Sequence, residues 1–494
     1  MKSMKIRSIC AAVTGALLFG FGANAMADSS VDIVNALVAK GVLTEEEGAL
    51  ITKGAKEEKA ANAKAIKKAG KVSMSDAIDN ATVYGDIRVR YEHREGTGVA
   101  GTGGASSASS YLATVAGANE NRERARYKLT LGVKTESGKW YTDLAMAMGA
   151  NGRSDNATFG KSATSNLNDK ETLFVKRAVV GYKPTDWLTV EAGRMNNPLY
   201  TTPMVWDADL NVEGLSEMVK YKATDNLELF GLAGQWSYQG DRKNFDGTGL
   251  VGSKYDTFTT TLFAFEGGAK YKFSDAASAK AAVNYINYGN NTSATKFTPG
   301  AGNSGSAGAL GSIAAGTGYS NKAAGVNDLN TIEIPAEVNF MASSNIGIKG
   351  FGDYVWNTSA DDRALNSTLA TGSSGSDDTA WMLGVHVGSA KDFKAFEGNK
   401  MKAGDWSARI WYQEVGVWSV DPNAVDSDFM DSRVNTKGTV FKAQYNIEDN
   451  VIANFAYGHA KRKNNAFGTA GAASDLALNL DSYDLAQFDL TYKF

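Results

Sequence analysis

Apolar and polar residues alternate with a period of two through most of the chain from Thr82 onward. In 82–94, Ile87, Val89 and Tyr91 alternate with Asp86, Arg88, Arg90 and Glu92. In 121–134, Ala125, Tyr127, Leu129, Leu131 and Val133 alternate with Arg122, Arg124, Arg126 and Lys128. Successive side chains of a strand point to opposite faces, so each such segment predicts a strand with one apolar and one polar face. Sixteen are predicted, near 82–94, 121–134, 140–149, 171–183, 187–195, 215–222, 227–238, 258–273, 278–288, 329–340, 345–357, 379–389, 405–418, 437–446, 450–461 and 482–494. The last sets Phe488, Leu490, Tyr492 and Phe494 against Gln487, Asp489, Thr491 and Lys493. In an open sheet this strand would leave a sticky edge. In a closed barrel it pairs with the first strand and the edge disappears.

The connections alternate in length. Thr135–Lys139, Pro184–Asp186, Ala223–Asn226, Ser274–Asp275, Ala342–Asn345 and Glu448–Asp449 are short, and 390–404 is a longer seventh. Between them lie 95–120, 149–170, 196–214, 239–257, 289–328, 358–378, 419–436 and 462–481. An even strand number with short turns at one end and long loops at the other is the layout of an outer-membrane barrel, with the turns periplasmic and the loops outside. A soluble sandwich also alternates apolar and polar, so the placing of tryptophan is the better discriminator. Trp140, Trp187, Trp236, Trp356, Trp381 and Trp406 fall near strand ends, where an interfacial girdle would stand. The predicted fold is all-β, a transmembrane antiparallel β-barrel of about 16 strands, wide enough for a water-filled lumen. Loops 95–120 and 289–327 are mostly Gly, Ala, Ser, Thr and Asn and have the composition of surface loops.

The first eighty residues follow another pattern. Lys2, Lys5 and Arg7 precede an apolar run from Ile9 to Ala23, and Ala25-Met-Ala27 gives a small-x-small cleavage site. This predicts a signal peptide over 1–27, the apolar run being too short to span as a helix. In 28–80, Val31, Val34, Leu37 and Val38 have helical spacing, and Thr44-Glu-Glu-Glu47 is a capping box. These residues predict a short helical periplasmic extension that associates between subunits or touches the cell wall, or a leader without fixed structure. The barrel then occupies 81–494.

Composition narrows the function. Cys10, the one cysteine, lies inside the predicted signal, so thiolate and disulfide chemistry are not expected of the mature chain. Net charge is −3, and loss of Lys2, Lys5 and Arg7 takes it to −6, which argues against a nucleic-acid partner. No cofactor is expected, since no phosphate-loop or dinucleotide fingerprint occurs. His93, His386 and His459 are far apart in sequence. The parity of His386 points it to the lumen as an ordinary polar residue, and that of His459 to the membrane interface. No enzymatic activity is predicted.

The third long loop holds the candidate selectivity residues. Asp207, Asp209 and Glu213, folded back into the barrel, would stand opposite the arginine rows of the first two strands: Arg88, Arg90, Arg122, Arg124 and Arg126. Opposed charges across a narrow aqueous gap set up a transverse field that sorts ions. The spacing Asp207, Asp209, Asn211, Glu213 also admits calcium, although Val212 stands where an EF-hand loop needs glycine.

Four stretches resemble the putative porin family of proteobacterial outer-membrane proteins: Gly193-Arg-Met-Asn-Asn-Pro198, Trp206-Asp-Ala-Asp-Leu-Asn-Val-Glu-Gly214, Gly404-Asp-Trp406 and Asp426-Ser-Asp-Phe429. That family's loop tends to carry Pro before Glu-Gly, where this chain has Val212. A helical piece ahead of a barrel more distantly resembles the phosphate-selective porins, which are trimers. The terminal Phe494, with Tyr492 third from the end, resembles the signal read by the barrel assembly machinery. The resemblance implies an outer-membrane, lipid-embedded, homotrimeric porin through which small hydrophilic solutes and ions diffuse. Three other readings remain open: a phosphate- or oxyanion-selective channel, since stacked arginines bind such anions; a plugged barrel acting as adhesin or scaffold through 289–327; and a soluble secreted sandwich.

Overall fold

The computed structural model divides the chain into Met1–Ser73 and Met74–Phe494. It describes residues 78–98, 119–149, 155–160, 170–242, 255–289, 328–365, 377–389, 402–421, 424–426, 434–464 and 480–494, besides Thr44, Glu46 and Lys53. The predicted signal peptide, nearly all of 28–80 and most of the low-complexity loops lie outside the described residues.

The second unit is one antiparallel sheet closed on itself. Its first half runs β1 (Asn80–Gly98), β2 (Asn119–Ser137), β3 (Trp140–Gly149), β4 (Ala157–Thr158), β5 (Thr172–Thr185), β6 (Leu188–Asn196), β7 (Asn211–Lys222), β8 (Leu227–Arg242) and β9 (Tyr255–Ser274). The second half runs β10 (Ala277–Gly289), β11 (Asn330–Glu333), β12 (Ala336–Met341), β13 (Ile346–Asn357), β14 (Thr379–Ser389), β15 (Trp406–Val415), β16 (Thr436–Glu448), β17 (Val451–Arg462) and β18 (Leu480–Lys493). The short helix α1 (Ala360–Leu365) sits in the loop after β13. β4 is a two-residue rung on β2. β11 and β12 are halves of one stave, both paired with β10 and β13 and separated by Ile334-Pro335. Proline has no N–H to give the ladder, so the stave breaks there. Sixteen staves remain, and each predicted strand segment falls on one of them.

Closure is complete from Asp86↔Lys493 to Arg94↔Leu485 in the β1–β18 register. The terminal residue takes part: Phe494 N–H donates to Gly85 O and Gly85 N–H to Phe494 O, both at 3.0 Å. In hydrocarbon an unpaired backbone group costs several kcal/mol, so these bonds do what water does at the edge of a soluble sheet. The outer face carries Val83, Ile87, Val89, Leu144, Val175, Leu383 and Phe488, all exposed. Trp140, Trp187, Trp356, Trp381 and Trp406 are also exposed there. Trp236 departs from the predicted girdle. It is 1 % exposed and donates its indole N–H to Ser216 at 2.9 Å. On β8 the odd positions, among them Leu229, face out, so the even-numbered Trp236 faces the lumen, where it packs with Met195, Val212, Leu232 and Leu262.

Candidate functional site

The lumen face of β1 and β2 is a wall of cations, because register sets like residues side by side. Arg88 pairs with Lys128, Arg90 with Arg126, Glu92 with Arg124 and Arg94 with Arg122. All five arginines predicted from sequence are therefore brought together on the lumen face. Like charges on one rung repel, and two carboxylates hold this wall in place. Arg90 makes a bidentate pair with Asp489, Nε–Oδ1 2.7 Å and Nη2–Oδ2 2.8 Å. The fully buried Glu92 accepts from Arg94 Nε at 2.8 Å and from Arg124, with Arg126 Nη1 at 3.8 Å. Gln487 adds a 3.0 Å bond to the other Glu92 oxygen. Sequence reasoning placed Glu92, Lys128 and Asp489 on polar strand faces but gave none of them a role, and it left out Arg94. The parity of Arg94 with Arg88 could have found it.

The wall continues onto β5 through a β-bulge. Ala145 pairs with Arg177 but Met146 with Val175, which leaves Lys176 unpaired in the ladder. An extra residue re-aims its neighbours, and here Lys176 and Arg177 both turn inward. Arg177 Nε donates to Asp143 at 2.9 Å. Lys176 bonds Asp155, and Lys128 stands 3.3 Å from the same carboxylate.

Loop 3, the connection 197–210, folds into the barrel and crosses to the opposite wall. Its root is a glycine pair: Gly193 (φ 121°) faces Gly214 (φ 153°) across β6 and β7. A Cβ at either would stand 2.1–2.2 Å from a carbonyl oxygen of the neighbouring strand, so only glycine fits. The loop then meets carboxylates on β9 to β13. Tyr200 N–H donates to Glu266 at 2.6 Å, Thr201 Oγ1 to Glu333 at 2.6 Å and Thr202 Oγ1 to Asp353 at 2.5 Å. Asn284 Nδ2 closes the set, donating to Tyr200 O and to Glu333, both at 2.9 Å. Burial and the nearby Glu337 carboxylate hold the Tyr200 phenol well above its ordinary range, so it stays a neutral donor.

The predicted loop acids separate. Asp209 reaches the basic wall, 3.7 Å from Lys128 and 3.9 Å from Lys176. Asp207 is buried and shapes the loop: its Oδ1 accepts from Asp209 N–H at 2.9 Å, and its own N–H donates to Ala424 O at 2.6 Å. Glu213 is corrected. β7 starts at Asn211, so Glu213 is already in a strand, with odd parity, on the outer face and paired with Arg194 of β6. The calcium arrangement is likewise not assembled: Asp209 stands among lysines and Glu213 points away. Among the described residues no cluster of three or more His, Cys, Asp or Glu could hold a metal ion.

A second loop also enters the lumen. The sequence predicts strand to 418 and an external loop over 419–436, yet β15 ends at Val415 and the described residues of the connection 416–435 turn inward. Asp426 N–H donates to Pro203 O at 3.0 Å, which joins it to loop 3. Asp421 accepts from Tyr238 Oη at 2.6 Å and Tyr288 Oη at 3.3 Å, on β8 and β10. Val417, Trp418, Val420 and Val425 pack with Met204 and Val205 of loop 3 and with Ala360 and Ala364 of α1. Described residues of two loops and a helix thus form one apolar knot inside the wall.

A model of the family described as "Putative porin" matches residues 84–309 and 318–494. The chain belongs to this family. It is an outer-membrane porin of the Gram-negative envelope. No curated protein matches the porin in sequence. Among solved structures it is similar to the outer membrane channel DcaP of Acinetobacter baumannii (12 % identity over 85 % of this chain and 99 % of that one, TM-score 0.39). Pseudomonas putida OprB gives 11 % identity over 84 % and 94 %, TM-score 0.44. Salmonella typhi OmpF, in complex with daunomycin, gives 12 % over 85 % and 99 %, TM-score 0.41. His386 and His459 lie in the porin where their parity predicts. His386 is buried on the lumen side, and His459 is on the outer face beside Asp484 at 3.0 Å.

Proposed function

We propose that the porin is a passive diffusion channel for small hydrophilic solutes, with a preference for anions. The observation that carries this is the asymmetry of the wall. Glu266, Glu333 and Asp353 are covered by donors of loop 3. Among the described residues, Arg88, Arg90, Arg94, Arg122, Arg124, Arg126 and Lys128 on β1 and β2 outnumber the carboxylates set against them, Asp86, Glu92, Asp155, Asp209 and Asp489. A low-dielectric wall focuses such an excess into the lumen and raises the local anion concentration. The polar lumen is built for passage, and no residue in it is assigned a chemical step. We further propose that the mature chain starts at Asp28, that three copies assemble, and that the strand ending in Phe494 is the part read by the assembly machinery. The test is reversal potential in a salt gradient: anion preference supports the reading. A cation-selective current overturns the preference, and membrane insertion without current overturns the channel in favour of a plugged barrel.

A further inference from the structure

A second basic array lies on β13 to β16, separated from β1 by β17 and β18. Register places Lys349 of β13 beside His386 of β14, His386 beside Arg409 of β15, and Arg409 beside Lys442 of β16. Four adjacent staves therefore present Lys, His, Arg and Lys at one level of the lumen. Arg409 and Lys442 are like charges directly opposite one another, with Lys349 beyond the His386 ring, and such a pair destabilises a sheet unless it has a compensating anion or a use.

Compensation is uneven along the row. Lys349 pairs with Glu337 at 2.8 Å, and Lys442 stands 3.9 Å from Asp426 of the inward 416–435 loop. Arg409, between them, makes no ion pair within 4.0 Å with any described residue. What supports it is an aromatic face: its guanidinium lies 5.4 Å from the Trp411 ring, and Lys442 Nζ lies 5.6 Å from the same ring. A ring holds a cation without taking up its donors, and the Asp426 carboxylate acts on Arg409 only through space, so its fork of donors stays open.

This guanidinium opens onto a cavity of about 210 Å³ between the 200–203 segment of loop 3 and the β12–β15 wall. Arg409 and Lys349 give it a basic side, with Glu337 paired to Lys349 and the His386 ring beside them, and Phe351, Met382 and Trp411 give it an apolar one. An engineered apolar cavity of about 150 Å³ holds benzene, so a ring with one carboxylate fits the space.

We propose that this cavity is a binding station for small aromatic carboxylates. The carboxylate seats on Arg409, and the ring lies against Phe351, Met382 and Trp411. The station rests on the channel reading and deepens it, since it names a solute class that the lumen would retain on its way through. Lys402, exposed in the turn before β15 and paired with Asp449 at 2.8 Å, lies outside both basic arrays and serves as a control.

The experiment uses the full mature porin with benzoate as probe, against acetate (no ring) and benzylammonium (no anion). In single-channel records benzoate should interrupt the current with saturable concentration dependence. Acetate should need at least about tenfold more for half-block, and Arg409→Gln should raise the benzoate half-block by about tenfold while Lys402→Gln changes it less than about threefold. Isothermal titration of benzoate into detergent-purified wild-type porin reads the same site without any current and without any variant. It should give saturable heat that acetate does not. A porin that conducts but is blocked equally by benzoate and acetate, or whose Arg409→Gln variant binds benzoate as wild type does, overturns the station and leaves the channel standing. Absence of current with intact benzoate heat overturns the channel and leaves the station.

Discussion

At the scale of single residues, the lumen is governed by how its charges are set against one another. Glu92 serves three arginines at once, and its neutral isostere Glu92→Gln would remove the negative charge they share. Breaking a buried pair of this kind costs roughly 3–5 kcal/mol. Unfolding in urea, followed by heat-modifiable mobility, should show that loss, together with stronger anion preference. An unchanged midpoint would mean that water already screens the cluster. Replacing Arg122, Arg124 and Arg126 by Ala should move the reversal potential toward cations, and an unchanged potential would place the selective part of the lumen elsewhere. Parity makes such residues legible from sequence, since Arg88, Arg90, Arg122, Arg124 and Arg126 all face where alternation puts them. It fails where the strand boundary is misplaced. With β7 read from residue 215, Glu213 counts as loop; the strand starts at Asn211, and that alone turns Glu213 outward.

At the scale of elements, the loops are fixed by bonds that no local pattern announces. Loop 3 rests on Glu266, Glu333 and Asp353 through Tyr200, Thr201 and Thr202. These acids come from three separate staves. Thr201→Ala with Thr202→Ala would remove two hydrogen bonds to carboxylates, each worth about 1.5–3 kcal/mol. Single-channel records should then show added open-state noise and larger conductance, and unchanged records would mean that the apolar knot alone holds the loop. Asp421→Ala should release the 416–435 loop from Tyr238 and Tyr288, with the same signature. The inward course of that loop was hidden because its apolar residues, Val417, Trp418, Val420 and Val425, find their partners on loop 3 and α1. The row Lys349–His386–Arg409–Lys442 was hidden for the same reason: each residue is ordinary in its own strand, and only pairing register makes them neighbours.

At the scale of the whole molecule, closure and charge asymmetry are the two facts that matter. Closure was legible at the end of the sequence, where the alternation of Phe488, Leu490, Tyr492 and Phe494 asks for a partner strand, and β1 supplies it through Gly85. Sixteen staves around a polar lumen, narrowed by two anchored loops, make a conduit with a basic bias. The most direct test is single-channel conductance of the detergent-purified mature protein in a planar bilayer under a salt gradient. Stepwise openings with a reversal potential of anion-selective sign are the predicted result, with steps in threes if three copies assemble. Insertion without current, or a current of cation-selective sign, would contradict the account.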